Sequence, residues 1–467
     1  MNNTNDNQNT NQLAILGLAT MGKNFAKNFA SKNIKIAVYN RSFVKTQELL
    51  GENNANIFGF ESLKKCILSL QLPRKIFLLV KSGPATDQTI EQILPFLSKG
   101  DIIVDCGNSN WEDTITRQNQ CKALGINFVG CGISGGSDGA LLGPSLMPSG
   151  EKIAVDSLLP ILRPVSAKDF DGGDCVCNIG SSGSGHFVKM VHNGIEYAMM
   201  QGLAEIYDIL KYLGLSTVEI KEYFDYFNTG DLESFLTEIT CQILSTKDNL
   251  GDGFLLEKIN YCAGAKGTGK WTVEAGMNFG VSVSNIFAGL AARVVSEENF
   301  VNNVGSKNVK LTNIQNFDKQ KLKTTLYSVL ESIYMTSYLQ GLELIQKANS
   351  EKMWEIDILE VIRIWQGGCI IRSKMLKKLF SIYQDKSKFI ASILPNTKAI
   401  FELTNFCNQH DIKTPTPVID STKNYILSLQ AVSLPQNLTQ AQRDFFGAHT
   451  YTRNDKDGIF TGGWKSE

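Results

Sequence analysis

The sequence predicts an α/β N-terminal domain built on a doubly wound parallel sheet. A large all-α domain follows, and then a short C-terminal tail. Three observations carry this reading. As far as Val129, short unbroken apolar runs alternate with helical patterns, as in parallel strands buried on both faces. Gly180-Ser181-Ser182-Gly183-Ser184-Gly185 then punctuates the chain. Beyond it strand signals largely stop and long patterns with helical periodicity take over.

Leu13-Ala14-Ile15-Leu16 reads as the first strand, with a helix over 21–31 and a second strand over 34–39. The apolar runs at 76–80, 102–105 and 127–129 continue the sheet. Helices are expected over 185–214, 217–227, 231–245, 322–350 and 357–367. Residues 1–11 form a polar, Asn-rich stretch without an apolar or a basic region. They are expected to be a disordered tail rather than a secretory signal or transit peptide. The domains are therefore drawn at 12–184, 185–436 and 437–467. The last segment follows the break at Leu434-Pro435. From Gln442 to Glu467 it is rich in glycine, aromatics and polar residues, and is not expected to build its own core.

A chain of 467 residues exceeds one ordinary core. Hydrophobic residues make up 43% and charged residues 20%, the balance of a water-soluble globular protein. Lys plus Arg and Asp plus Glu are 46 each, so the net charge is zero and gives no reason to expect a nucleic acid or membrane partner. No apolar run reaches the ~18 residues of a membrane span. Ten scattered cysteines suit free thiols in a reducing compartment, and a cytoplasmic location is expected. With four histidines in the chain, and Cys175 and Cys177 lacking further ligands nearby, no metal is expected.

Gly17-Leu18-Ala19-Thr20-Met21-Gly22 follows the first strand and opens a helix. It is the dinucleotide fingerprint of Rossmann-like domains with Ala19 at the middle small position. Small residues there permit the tight turn and the close approach of a pyrophosphate to the helix N-terminus. The second strand ends in Asn40-Arg41-Ser42, where an NAD-binding domain usually carries an acid for the ribose 2′-hydroxyl. Here nothing would repel a 2′-phosphate and Arg41 is able to pair with one, which favours NADP. Val80-Lys81-Ser82-Gly83 and Asp105-Cys106-Gly107-Asn108-Ser109 follow strands, at the ends where such sheets bind ligands. Gly132-Ile133-Ser134-Gly135-Gly136-Ser137 offers backbone N–H groups and a hydroxyl to an anion. Each of these loops, taken alone, is also compatible with a plain turn. Lys266-Gly267-Thr268-Gly269-Lys270 lacks P-loop spacing but gathers bases suited to a phosphate.

Lys189, His192, Asn193, Glu196 and Tyr197 lie within the run 185–197. At ~100° per residue they share one arc of a helix, while Val188, Met190, Val191, Ile195 and Ala198 cover the rest. An amphipathic helix with a solvated face gives the same pattern. An amine and a carboxylate two turns apart, among neutral hydrogen-bonding groups, are suited to serve one substrate as base and acid.

Taken together these strings resemble the 6-phosphogluconate dehydrogenases, from about Gln12 to Trp464. The resemblance adds Gly107-Asn108-Ser109-Asn110-Trp111, Gly143-Pro144-Ser145-Leu146-Met147-Pro148, Lys266 to Thr272, Gly367-Gly368-Cys369-Ile370-Ile371-Arg372-Ser373, and Gln442-Arg443-Asp444-Phe445-Phe446-Gly447-Ala448-His449-Thr450-Tyr451. Departures are Gln366 where Arg is usual, Phe445 where Tyr is common, Ser137-Asp138 and Leu141-Leu142 in the glycine loop, and a shorter tail.

The resemblance implies oxidative decarboxylation of 6-phosphogluconate by NADP to ribulose 5-phosphate and carbon dioxide, in the oxidative branch of the pentose phosphate pathway and in gluconate utilization. It implies Lys189 as the base and Glu196 as the acid. It implies cofactor contacts from Gly17, Ala19, Met21, Gly22, Asn40, Arg41, Ser42, Val80, Lys81, Ser82 and Asn108. Substrate contacts are expected from Asn108, Ser134, Gly135, Gly136, His192 and Asn193. Tyr197, Lys266, Thr268 and Arg293 match the family's phosphate site. Arg443 and His449 match residues supplied by a second subunit, which implies a homodimer. A 3-hydroxyacid dehydrogenase of the hydroxyisobutyrate type shares the fingerprint and a Lys on the equivalent helix, but it is much shorter. An inactive NADP-binding relative is the other alternative, and the presence of both Lys189 and Glu196 speaks against it.

Overall fold

The computed structural model describes residues 10–265, 267–302 and 317–464. Met1–Thr422 form one compact unit and Lys423–Glu467 a second.

The first unit holds a seven-stranded sheet in the order β3-β2-β1-β4-β5-β6-β7. Its strands are β1 (Leu13–Leu16), β2 (Ile36–Tyr39), β3 (Ile57–Gly59), β4 (Lys75–Leu78), β5 (Ile102–Asp105), β6 (Asn127–Ser134) and β7 (Ser145–Ser149). The first six run parallel. β7 returns antiparallel to β6, with Ser134 opposite Ser145, so the expected parallel sheet gains an antiparallel edge. Alternate residues of each strand enter cores on opposite faces: Leu13 and Ile15 on one, Ala14 and Leu16 on the other. That two-sided burial is why these strands read as continuous apolar runs. Two strands were not foreseen. β3 is only three residues long at the sheet edge, and β7 is Ser-Leu-Met-Pro-Ser, which shows no strand pattern. Asn11, expected in the disordered tail, is instead buried. It bridges to Leu70, and its Nδ2 donates to Ser69 Oγ at 2.9 Å. The first nine residues of that tail lie outside the described residues.

Helices of the first unit continue beyond the sheet without forming a separate compact unit. The central one, Ser184–Tyr212, has 29 residues and is covered by β6 and β7 on one side. The helices Thr268–Asn278, Ser284–Asn302 and Lys319–Lys352 cover it on others. A helix enclosed in this way buries its polar residues with its apolar ones. The alternative of a solvated face does not hold over its first turns: Lys189, His192, Asn193 and Tyr197 are all buried. No described helix is long and apolar enough to cross a membrane. All ten cysteines are free thiols.

Candidate active site

Sheet order reverses between β1 and β4, which places a crevice at the C-terminal ends of those strands. Gly17 turns the chain there with φ +102°, and a Cβ on it would stand 2.5 Å from Leu79 O. Only glycine permits both that dihedral and that approach. A Cβ on Gly22 would come within 1.9 Å of Gly17 O, so the turn and the first helical residues are in backbone contact. The helix Thr20–Ser31 is preceded by Ala19, has Met21 in its first turn, and carries no acid there. Its positive end is left for an anion. Asn40 joins two loops: its Oδ1 accepts from Leu18 N–H at 2.9 Å and its Nδ2 donates to Ser42 O at 3.0 Å. Arg41 and Ser42 are exposed beyond β2. Across the crevice the loop after β4 presents half-buried Val80 and Ser82 and exposed Lys81. After β5, Asp105 accepts from Gly107 N–H at 3.0 Å and from Ser109 Oγ–H at 2.7 Å, with exposed Asn108 between them. This cradle fits a dinucleotide: a glycine turn, an uncompensated helix N-terminus, and a cation where a 2′-phosphate would lie.

A second group of residues surrounds Lys189. A Cβ on Gly132 of β6 would lie 2.4 Å from Lys189 Cβ, so the helix sits directly on the strand backbone. Burial pushes the Lys189 amine down to about 8, against the pull of Glu196. Its Nζ lies 3.4 Å from His192 Nδ1. That nitrogen is 3.1 Å from Asn193 Oδ1, and His192 Nε2 is 3.0 Å from Ser134 Oγ. Ser134 Oγ also accepts from Ile370 N–H at 3.4 Å. Burial first, and the neighbouring Lys189 second, hold the imidazole well below its ordinary range. Gly135, left-handed at φ +119°, would place a Cβ 2.6 Å from Gly368 O. The end of β6, with Gly136 opening the next helix, therefore meets the 367–373 segment backbone to backbone. Cys369 and Trp365 back the cluster, with the Trp365 ring 5.7 Å from that of His192.

Glu196 stands between this cluster and the next. Burial raises its carboxyl, while Lys189 and then Arg293 pull it down. The Arg293 guanidinium stacks 3.5 Å from the Tyr197 ring centre and donates to Gly264 O at 3.1 Å. Gly269 lies against the same ring, where a Cβ would be 2.7 Å away. Thr268, buried, opens the helix Thr268–Asn278. Thr272, one turn on, ties that helix to the central one by donating to Met190 O at 2.9 Å. Lys266, expected beside them, lies outside the described residues.

Arg443 and His449 belong to the second unit. Arg443 is exposed on the helix Gln436–Gly447 and donates to Gln440 Oε1 at 3.0 Å. His449 is exposed beside the Phe446 ring at 6.0 Å. This unit is organised by one carboxylate. Asp444 accepts from the N–H groups of Thr450 at 2.8 Å and Gly462 at 2.7 Å, and from Trp464 Nε1–H at 2.7 Å. Lys189, His192, Asn193, Glu196 and Tyr197, expected from the sequence to share a helix, do lie on one. The sequence did not assign roles to the 365–370 backing, Thr272 or the Asp105 carboxylate. Each acts through a long-range contact that no local pattern announces.

Two family models match the chain. "NAD binding domain of 6-phosphogluconate dehydrogenase" covers residues 12–180, and "6-phosphogluconate dehydrogenase, C-terminal domain" covers 185–464. The decarboxylating 6-phosphogluconate dehydrogenase of Staphylococcus epidermidis is 43% identical over 98% of this chain and all of its own length. That of Lactococcus lactis is 41% identical over 97% of this chain and 98% of its own. Among solved structures, Plasmodium falciparum 6-phosphogluconate dehydrogenase superposes with a TM-score of 0.89 at 36% identity. The match covers 97% of this chain and 100% of that one. Its structures include complexes with NADP+ and with 6-phosphogluconate. On these matches, spanning both the sheet and the helical region, the chain belongs to the 6-phosphogluconate dehydrogenase family.

Proposed function

We propose that the chain oxidatively decarboxylates 6-phospho-D-gluconate to D-ribulose 5-phosphate and carbon dioxide while reducing NADP to NADPH. The observation that carries this reading is the pairing of Lys189 and Glu196 on one buried helix, with the amine shifted down and the carboxyl shifted up. Both shifts suit the reaction. A neutral amine accepts the C3 hydroxyl proton, and a protonated carboxyl is able to give one.

NADP, when bound, supplies the acceptor for the hydride that leaves C3. The fingerprint turn and Arg41 would hold its adenosine half, and Val80, Lys81, Ser82 and Asn108 its other half. Lys189 takes the C3 hydroxyl proton as the 3-keto acid forms. The carboxylate then departs as carbon dioxide, its bonding electrons passing to an enediolate. Protonated Lys189 stabilises the developing oxygen charge, where low dielectric strengthens the attraction. Glu196 delivers a proton to the carbon that lost the carboxylate, C1 of the product. Ser134, Gly135, Gly136, His192 and Asn193 orient the sugar acid. Tyr197, Lys266, Thr268 and Arg293 take its phosphate. The working form is a cytoplasmic homodimer in which Arg443 and His449 complete the partner's phosphate site.

The direct test is incubation of the purified chain with 6-phosphogluconate and NADP. NADPH and carbon dioxide should appear in equal amounts. Turnover of 3-hydroxyisobutyrate instead, or NADPH without carbon dioxide, would overturn the assignment.

A further inference from the structure

The loops after β4 and β5 are joined by a side chain that is not among the expected ligand contacts. Arg117 lies on the helix Trp111–Ala123 and is buried. Its Nε donates to Asp87 Oδ1 at 2.7 Å, in the first turn of the helix Pro84–Ile93. Its Nη2 donates to Gly83 O at 3.3 Å, at the end of the Val80-Lys81-Ser82-Gly83 loop. Its Nη1 reaches Asp105 Oδ2 at 3.5 Å, and Asp113 lies 3.9 Å away on its own helix. Asp105 in turn holds Gly107 N–H and Ser109 Oγ–H, which flank Asn108. One planar guanidinium thus spans two loops from adjacent strands. A lysine ammonium cannot span three divergent acceptors in this way.

We infer that Arg117 is a positioning residue, clipping the Val80–Gly83 loop to the Asn108 loop and so fixing the width of the site that receives the nicotinamide half of the cofactor. The inference rests on the assignment of those loops to the cofactor under the proposed function. Under that assignment the adenosine half would lie against the β1 turn and Arg41, away from these loops. Loss of the clip should therefore affect the two halves differently.

The experiment compares the wild type with Arg117→Gln, Arg117→Lys, Asp87→Asn and Asn108→Ala. For each, the affinities for 2′,5′-ADP and for NADPH are measured by direct binding, and kcat and KM for NADP by turnover. The fragment 2′,5′-ADP reaches only the adenosine side. Arg117→Gln should leave its affinity within about twofold while weakening NADPH binding and kcat by about tenfold each, a displacement of less than an ångström being enough. Arg117→Lys should recover part of the loss. Asp87→Asn strips the charge from the shortest contact, at a half-exposed partner, and should shift NADPH, not 2′,5′-ADP, in the same direction. It carries the test if Arg117→Gln fails to fold. Equal losses for both ligands, or none for either, would overturn the clip. If Asn108→Ala weakens NADPH while the Arg117 and Asp87 variants do not, the clip alone is wrong. If Asn108→Ala leaves NADPH binding unchanged, the loop assignment fails and the inference fails with it.

Discussion

Lys189 Nζ lies 3.4 Å from His192 Nδ1, and both side chains are buried. Two groups that each take up a positive charge have been brought together away from water. Burial is the larger cause of both downward shifts, and their mutual repulsion adds to that of the imidazole. The result is a lysine that loses its proton more easily than one in water, beside a histidine that stays neutral and free to hydrogen-bond.

The pH profile follows. In the proposed reaction Lys189 must be neutral to accept the hydroxyl proton, and burial lowers its amine to about 8. kcat/KM should fall with unit slope as pH drops below that value, because the protonated amine cannot act as base. Lys189→Arg should lose at least ~10³-fold in kcat, since a guanidinium stays protonated. Glu196→Gln should spare hydride transfer more than ribulose 5-phosphate release, read by single-turnover kinetics. A flat profile between about pH 9 and about pH 6 would remove Lys189 from the role of base.

Gly132→Ala should separate packing from chemistry. Its Cβ would stand 2.4 Å from that of Lys189, so the helix must shift or the strand must bend. Overpacking of this kind costs ~1–3 kcal/mol, measurable by denaturant titration, and should lower kcat because the base moves. Gly51→Ala, whose Cβ meets its nearest neighbour at 3.4 Å, should change neither. Wild-type kcat in Gly132→Ala would show that the strand contact does not set the position of the base.

Arg41 is exposed at the end of β2. Arg41→Glu should weaken NADP binding by ~2–4 kcal/mol, through loss of a charge-assisted pair and added repulsion. NAD binding should change much less. Equal losses in a binding titration would mean that Arg41 does not read the 2′-phosphate.

Arg443 tests the dimer. Lys189→Ala and Arg443→Ala should each be inactive alone. After subunit exchange, one site of each heterodimer would combine an intact Lys189 with an intact Arg443 from the neighbour. Random mixing should restore roughly a quarter of wild-type activity if sites are independent. No recovery after verified exchange would place Arg443 in its own chain's site.

The elements legible in the sequence are those with a local cause. β1, β4 and β5 are buried on both faces and read as apolar runs. The arc from Lys189 to Tyr197 follows from helical periodicity alone. What was not legible depends on distant chain. β7 is a strand because β6 pairs with it, and its own residues carry no alternation. The 189–197 arc looks solvated until the sheet edge and the Trp365-to-Ile370 segment cover its early turns, as the Ser134–Ile370 contact shows. Arg117 carries no motif that marks it out in the sequence, and only the fold brings Asp87 and Asp105 to it.

The contact between β6, β7 and the central helix has a mechanical consequence. A Cβ on Gly185 would fall 2.1 Å from Met147 O, and one on Gly132 would fall 2.4 Å from Lys189 Cβ. Across these points nothing deformable separates helix from sheet, and close-packed backbone transmits displacement rather than absorbing it. A displacement of β6 at Gly132 is therefore passed directly to Lys189. In the proposed reaction, the position of Lys189 relative to the sugar acid would then be fixed by the sheet edge itself.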